Sequence, residues 1–170
     1  MPISTPNRVA DPVSLEKYIP PCKIVQEGGL FIPYYNDTGL TLVTGEPIIH
    51  AGRVCIVQRT ILPGKMGTLL ADWIVDAVLS VAQAGNILQN AVVYWDTDAS
   101  YVATEEGEEL DDFGAASSIG APSNGFILGR ASGPHYDTPP TSGGDMVCAY
   151  EGDFRVRVVC VPGAPTTYGS

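Results

Sequence analysis

The chain has 170 residues, with 9 Lys and Arg against 19 Asp and Glu for a formal charge of -10. Its 45% hydrophobic content is too high for a disordered chain, and the length suits one domain, or one domain with an arm. The acid excess argues against direct nucleic-acid contact, which needs clustered Lys and Arg; no apolar run reaches a membrane span, and residues 1–10 lack the core of a signal peptide.

Pro2, Pro6, Pro12, Pro20 and Pro21 dominate residues 1–21, which have little periodic hydrophobicity. Proline fixes φ and cannot donate to a ladder, so an extended N-terminal arm is expected, either loose or lying on a neighbouring subunit. From Cys22 onward, short β-rich runs alternate with turn residues. Strands are predicted at 23–26, 30–35, 47–50, 53–58, 69–81, 91–95, 101–104, 125–131, 145–150 and 154–161. This spacing indicates an all-β domain over 22–161, a small barrel or sandwich, followed by a short tail at 162–170.

Two stretches need comment. Residues 69–81 alternate as a strand would but also carry a passable helical stripe; their β-branched content favours strand. In the last strand Phe154, Val156, Val158 and Cys160 share one face and Arg155 and Arg157 the other, with Glu151-Gly152-Asp153 before it as a hairpin turn. Thr44-Gly45-Glu46, Ala84-Gly85-Asn86 and Gly143-Gly144-Asp145 each precede an apolar strand. Glycine permits positive φ there, and the following carboxylate or amide can bond back to turn amides.

Chemistry is sparse. Cys22, Cys55, Cys148 and Cys160 are widely spread, with no Cys-x-x-Cys pair, and read as small apolar strand residues of a protein made in a reducing cytoplasm. His50 falls at a strand end. His135, beside Asp137 in a loop, is the best candidate base, and the pair is the chain's entire enzyme case. Pro63-Gly64-Lys65-Met66-Gly67 lacks the first Gly and the Ser or Thr of a phosphate loop, so Gly64 and Gly67 read as turn residues. Asp96-Thr97-Asp98 could hold a hard cation but reads better as a polar turn closing a hairpin with 101–104. Residues 105–112 hold six of the 19 carboxylates; setting them aside leaves 13 acidic against 9 basic residues, or -4. That run reads as a solvated acidic insert rather than a metal cage. No catalytic, cofactor-binding or metal-binding residue is assigned, and no cofactor is expected.

The order of the pieces carries a resemblance. Gln26-Glu27-Gly28 precedes a Tyr-rich strand, Thr44-Gly45-Glu46 a second strand, and Pro63-Gly64-Lys65-Met66-Gly67 a long apolar one. The valine-rich run ending Tyr94-Trp95-Asp96 follows Ala84-Gly85-Asn86, and Gly125-Phe126-Ile127-Leu128-Gly129-Arg130-Ala131 leads to Gly144-Asp145 and Phe154-Arg155-Val156-Arg157-Val158. Over about residues 22–161 this resembles the tailed-phage capsid decoration (cement) proteins, a family sometimes mislabelled as recombinases. The resemblance implies a non-enzymatic β-barrel subunit, usually a homotrimer, that binds major capsid protein on the outside of an expanded icosahedral shell and stabilises it. The proline-rich arm, the acidic insert and the loop at 132–142 depart from the family pattern. A virion protein on the outer capsid surface is therefore expected, its arm and loops touching the shell and its acidic insert facing solvent. A carbohydrate- or host-surface-binding β-module is the alternative, with Tyr34, Tyr35, Tyr136 and Tyr150 available to stack on sugars.

Overall fold

A computed structural model describes residues 2–3, 21–80, 87–99, 101–102, 109–110, 114–118, 121–132, 149–150, 153–160 and 167–168. The expectations placed on His135 and Asp137, Tyr136, Cys148, most of the arm, most of 105–112, and the turns at 84–86 and 143–145 lie outside those residues.

Two antiparallel sheets form a sandwich-like, all-β arrangement. The four-stranded sheet contains β3 (Phe31–Tyr35), β4 (Pro47–His50), β5 (Arg53–Val57) and β6 (Met66–Leu70), in the order β3-β6-β5-β4. The eight-stranded sheet is built on β2 (Cys22–Glu27), β7 (Trp73–Val78), β8 (Val92–Asp96), β11 (Ala115–Ser117), β12 (Gly125–Ala131) and β14 (Asp153–Cys160), in the order β11-β8-β12-β14-β7-β2. To it are added β13 (Ala149–Tyr150), beside β14, and β15 (Thr167–Tyr168), beside β12. Both sheets have open edges, so of the two expected architectures the sandwich is formed and the closed barrel is not. A separate small sheet joins β1 (Pro2–Ile3), parallel, to β10 (Glu109–Leu110), which pairs antiparallel with β9 (Tyr101–Val102).

The core between the sheets draws on both. Ile56 and Leu70 come from the four-stranded sheet; Trp73, Val75, Ala77, Val93, Trp95, Phe126, Leu128, Val156 and Val158 come from the other. The Trp73 indole crosses the sandwich to donate to Val54 O at 3.1 Å, giving a buried ring its polar partner. A second, smaller cluster of Leu42, Cys55, Val57, Ile61, Leu69 and Ala71 lies on the opposite face of the four-stranded sheet, with Ile32, Tyr34 and Ile48 against it.

The strand expected over 69–81 is two strands. β2 pairs with β7 and β3 with β6, and the hydrogen bonding continues across the corner, Gly28 N to Asp72 O at 2.9 Å and Ala71 N to Leu30 O at 3.0 Å. One long two-stranded ribbon thus bends at 28–30 and 71–72 and belongs to both sheets, as strands do at sandwich corners. Gly28 lies against the Asp72 side chain there, where a Cβ would collide.

Other local expectations divide. At Thr44-Gly45-Glu46, Gly45 has φ +84 and the Glu46 carboxylate accepts from Val43 N at 3.0 Å, the back-bonded turn expected from the sequence. Gly64 is a turn residue with φ +71, whereas Gly67 lies inside β6, where its missing Cβ makes room for the Ile61 side chain. Tyr150 pairs with Asp153, consistent with the expected hairpin. The hairpin expected between β8 and 101–104 is not formed: β8 pairs with β11 and β12, while β9 pairs with β10. The stretch after Asp98 therefore leaves the main sheet and returns to it at β11. In β14, Val156 and Val158 are buried on the core face as alternation requires, but Arg155 on the other face is buried too.

Candidate functional site

Among the described residues, the cysteines and His50 are held in structural contacts. Burial raises the Cys22 thiol far above its ordinary range, outweighing the lowering effect of nearby Arg155. Desolvation also raises Cys55 and Cys160. Cys160 Sγ accepts from Trp73 N at 3.5 Å and donates to Asp72 Oδ1 at 3.3 Å, so it is tied into the ribbon's corner. Thiols held protonated are poor nucleophiles and poor metal ligands.

His50 packs edge-on against Tyr34, ring centroids 5.0 Å apart at 82°. The Tyr34 phenol is raised by burial, then by Asp37 and Glu46. At 96–98 the expected polar turn is present: Asp98 N donates to Asp96 Oδ1 at 3.0 Å, and Asn124 Nδ2 to Asp98 Oδ1 at 3.4 Å. Among the described residues no group of three or more His, Cys, Asp or Glu could hold a metal ion, and no helix is long and apolar enough to cross a membrane.

The surface feature that stands out is apolar. In β3 the odd residues share a face, and register places Phe31 opposite Leu70, Pro33 opposite Thr68 and Tyr35 opposite Met66. Leu70 is fully buried under the eight-stranded sheet, yet Phe31 is 45%, Tyr35 55% and Met66 65% exposed. The four-stranded sheet therefore overhangs its partner. Its covered half completes the core, and its free end presents an aromatic, a proline, an aromatic and a methionine to solvent. Leu30 extends the strip at the corner, and Val25, also exposed, lies at a bulge in β2. Leu40, Ile49 and Leu88 are exposed as well.

Two features shape how this strip can be met. Leu30 O and Asn36 N bond toward β6, so even residues of β3 face their partner strand and the odd ones turn their backbone groups to the open side. Pro33 has no N–H to offer there, and the β2 edge is interrupted by its bulge between Ile24 and Gln26. Prolines and bulges are how natural edges avoid strand-to-strand addition. Strand addition is thus disfavoured at these two edges, and a partner on this strip would meet side chains.

Of the tyrosines named for stacking, Tyr35 is exposed, Tyr34 is half-buried against the smaller core, and the side chains of Tyr136 and Tyr150 lie outside the described residues. Phe31 and Met66 were not distinguishable as surface residues from sequence, since alternating apolar residues look the same on a covered and an uncovered sheet face. The chain matches no known protein family, no curated protein and no solved structure.

Proposed function

We propose that the chain is a structural subunit that works by binding other proteins, and specifically a homotrimeric capsid decoration protein. On this reading it sits on the outer surface of an icosahedral phage shell and bridges neighbouring major capsid protein subunits. The observation that carries the binding role is the overhang: Phe31, Pro33 and Tyr35 follow one another along one exposed face of β3, with exposed Met66 opposite Tyr35, and Pro33 interrupts the donors of that edge. Adjacent exposed apolar side chains of this size mark interaction sites more often than scattered ones do. The assignment to a phage shell rests on the ordered motifs described above, from Gln26-Glu27-Gly28 to Phe154–Val158.

Charge is consistent with an outside position, since a subunit of -10 avoids packaged nucleic acid. Three copies would also present three identical contacts to the shell, so that modest single contacts add up to firm attachment. The test is thermal. Expanded shells built from the major capsid protein of the same genome should come apart at a higher temperature once the purified protein is added. A monomeric protein that leaves their disassembly temperature unchanged would overturn the reading.

The exposed Tyr35 supports one further reading, a glycan-binding module on the capsid surface, because an exposed aromatic ring can stack on a sugar face. Binding on a glycan array that is lost in Tyr35→Ala would favour it.

A further inference from the structure

We infer that Asn124-Gly125 is a site of spontaneous covalent modification, at which the Asn124 carboxamide becomes a carboxylate and the turn at 96–98 is loosened. The inference does not depend on what the chain binds.

Asn124-Gly125 is the one Asn-Gly pair in the sequence; the other asparagines precede Arg8, Asp37, Ile87 and Ala91. The pair matters because the following backbone nitrogen must reach the asparagine Cγ, and glycine puts no Cβ in the way. The Gly125 nitrogen gives up its proton to solvent base and bonds to Cγ. The Cγ–Nδ2 bond breaks, ammonia leaves, and a five-membered imide remains. Water then opens the imide at either carbonyl, giving aspartate or its isomer, in which the main chain runs through the side-chain carboxyl carbon. Water is consumed and ammonia released, and nothing is oxidised or reduced.

The structure requires the glycine and leaves the asparagine open. Gly125 has φ +151, and a Cβ there would collide with Trp95 O and crowd Pro122. The Asn124 side chain is half-buried, and its amide donates to Asp98 Oδ1 at 3.4 Å, near the outer limit for such a bond. Asn36 is the contrast. Fully buried, it donates to Leu40 O at 2.7 Å and Ile61 O at 2.9 Å, and accepts from Thr38 N at 3.1 Å. At Asn90 the following nitrogen is engaged, since Ala91 N donates to Leu88 O at 3.1 Å. The Asn124 main chain is held by Thr97 N, which donates to Asn124 O at 3.2 Å. That bond lies at the entry to β12, where a strand end opens at little cost and lets the backbone turn toward ring closure.

The product changes the chemistry of the turn. A carboxamide that donated to Asp98 becomes a carboxylate that cannot, while the Asp96 carboxylate already accepts from Asp98 N at 3.0 Å. Three carboxylates then crowd one turn with a donor fewer, and like charges repel. The isomerised product also lengthens the main chain just before Phe126, a core residue whose register against Trp95 fixes this end of the β8–β12 pair.

The experiment ages the full chain in mildly alkaline buffer, with and without urea, and follows each asparagine by peptide mass mapping. Asn124→Gln is the control, because its longer side chain would have to close a six-membered ring. In the folded wild type Asn124 should convert about tenfold faster than any other asparagine. Conversion should be faster again in urea and suppressed in Asn124→Gln. Aged wild type and Asn124→Asp should both melt at a lower temperature than fresh protein. Conversion confined to urea would overturn the inference, since the strand would then protect the pair, and so would earlier conversion at another asparagine. Asn124→Asp melting like the wild type would overturn the loosening; if that variant does not fold, the melt of the aged wild type decides.

Discussion

Asp76 sits on the non-core face of the eight-stranded sheet, with Lys23 of β2 opposite it on one side and Arg157 of β14 on the other. Its carboxylate accepts from Arg157 Nε at 2.8 Å and Nη2 at 3.0 Å, while its backbone carbonyl accepts from Arg155 Nη1 at 3.0 Å. Asp76 is nearly buried and Arg157 is 40% exposed, so the two ends of the pair should not respond alike. Asp76→Ala removes a nearly buried carboxylate that lies between Lys23 and Arg157 and should lower unfolding free energy by about 3 kcal/mol. Arg157→Ala should cost about 1 kcal/mol. Urea denaturation of both variants and of the double variant measures this, with the double losing less than the sum. Equal losses would mean that the pair is solvated in solution. Cys22 allows a second test at the same scale. Its thiol is held protonated by burial, while the unfolded chain ionises near the ordinary value of 9.0. Above that pH the unfolded state releases a proton that the native state keeps, so stability should be complete below pH 9 and fall above it. The slope from this residue is about 1.4 kcal/mol per pH unit. Cys22→Ala should flatten the decline, as read from denaturant midpoints between pH 8 and 10.5.

At the scale of elements, the bent ribbon and its edge decide both stability and behaviour. Gly45 packs against the Cys22 carbonyl oxygen with φ +84, holding the 43–46 turn to the start of β2. Gly45→Ala should therefore cost about 2 kcal/mol or more, through positive φ and the collision together. Pro33→Val makes the opposite kind of change. It restores an outward N–H to the middle of an open edge strand, and concentration-dependent light scattering should rise without loss of melting temperature. Much of this level was legible in the sequence, because period-two alternation and Gly or Pro punctuation are local signals. The predicted 47–50 and 125–131 coincide with β4 and β12. The break in 69–81 was not legible: Ala71-Asp72 carries neither Gly nor Pro, and the bend is imposed by the sheet switch opposite Gly28. The pairing of β8 with β11 and β12 was likewise hidden, since it joins segments separated by an excursion to another sheet. Burial of Arg155 and exposure of Met66 depend on which part of a sheet face its partner covers, and strand alternation does not encode that.

Among the described residues the sandwich leaves an apolar strip of the four-stranded sheet exposed, Phe31, Pro33, Tyr35 and Met66. The charge of -10 argues against direct nucleic-acid contact, and residues 105–112 carry six of the 19 carboxylates behind it. Neutralising the carboxylates of residues 105–112 should leave assembly intact, because this insert is expected to face solvent; native mass measurements on that variant check it, and dissociation would place the insert in the contact. Co-sedimentation of the purified full chain with expanded, undecorated shells measures attachment to the shell itself. Saturable binding is expected, with three chains per site and little affinity for unexpanded shells. A protein left wholly in the supernatant at saturating concentration would mean that it is not a decoration subunit of that shell.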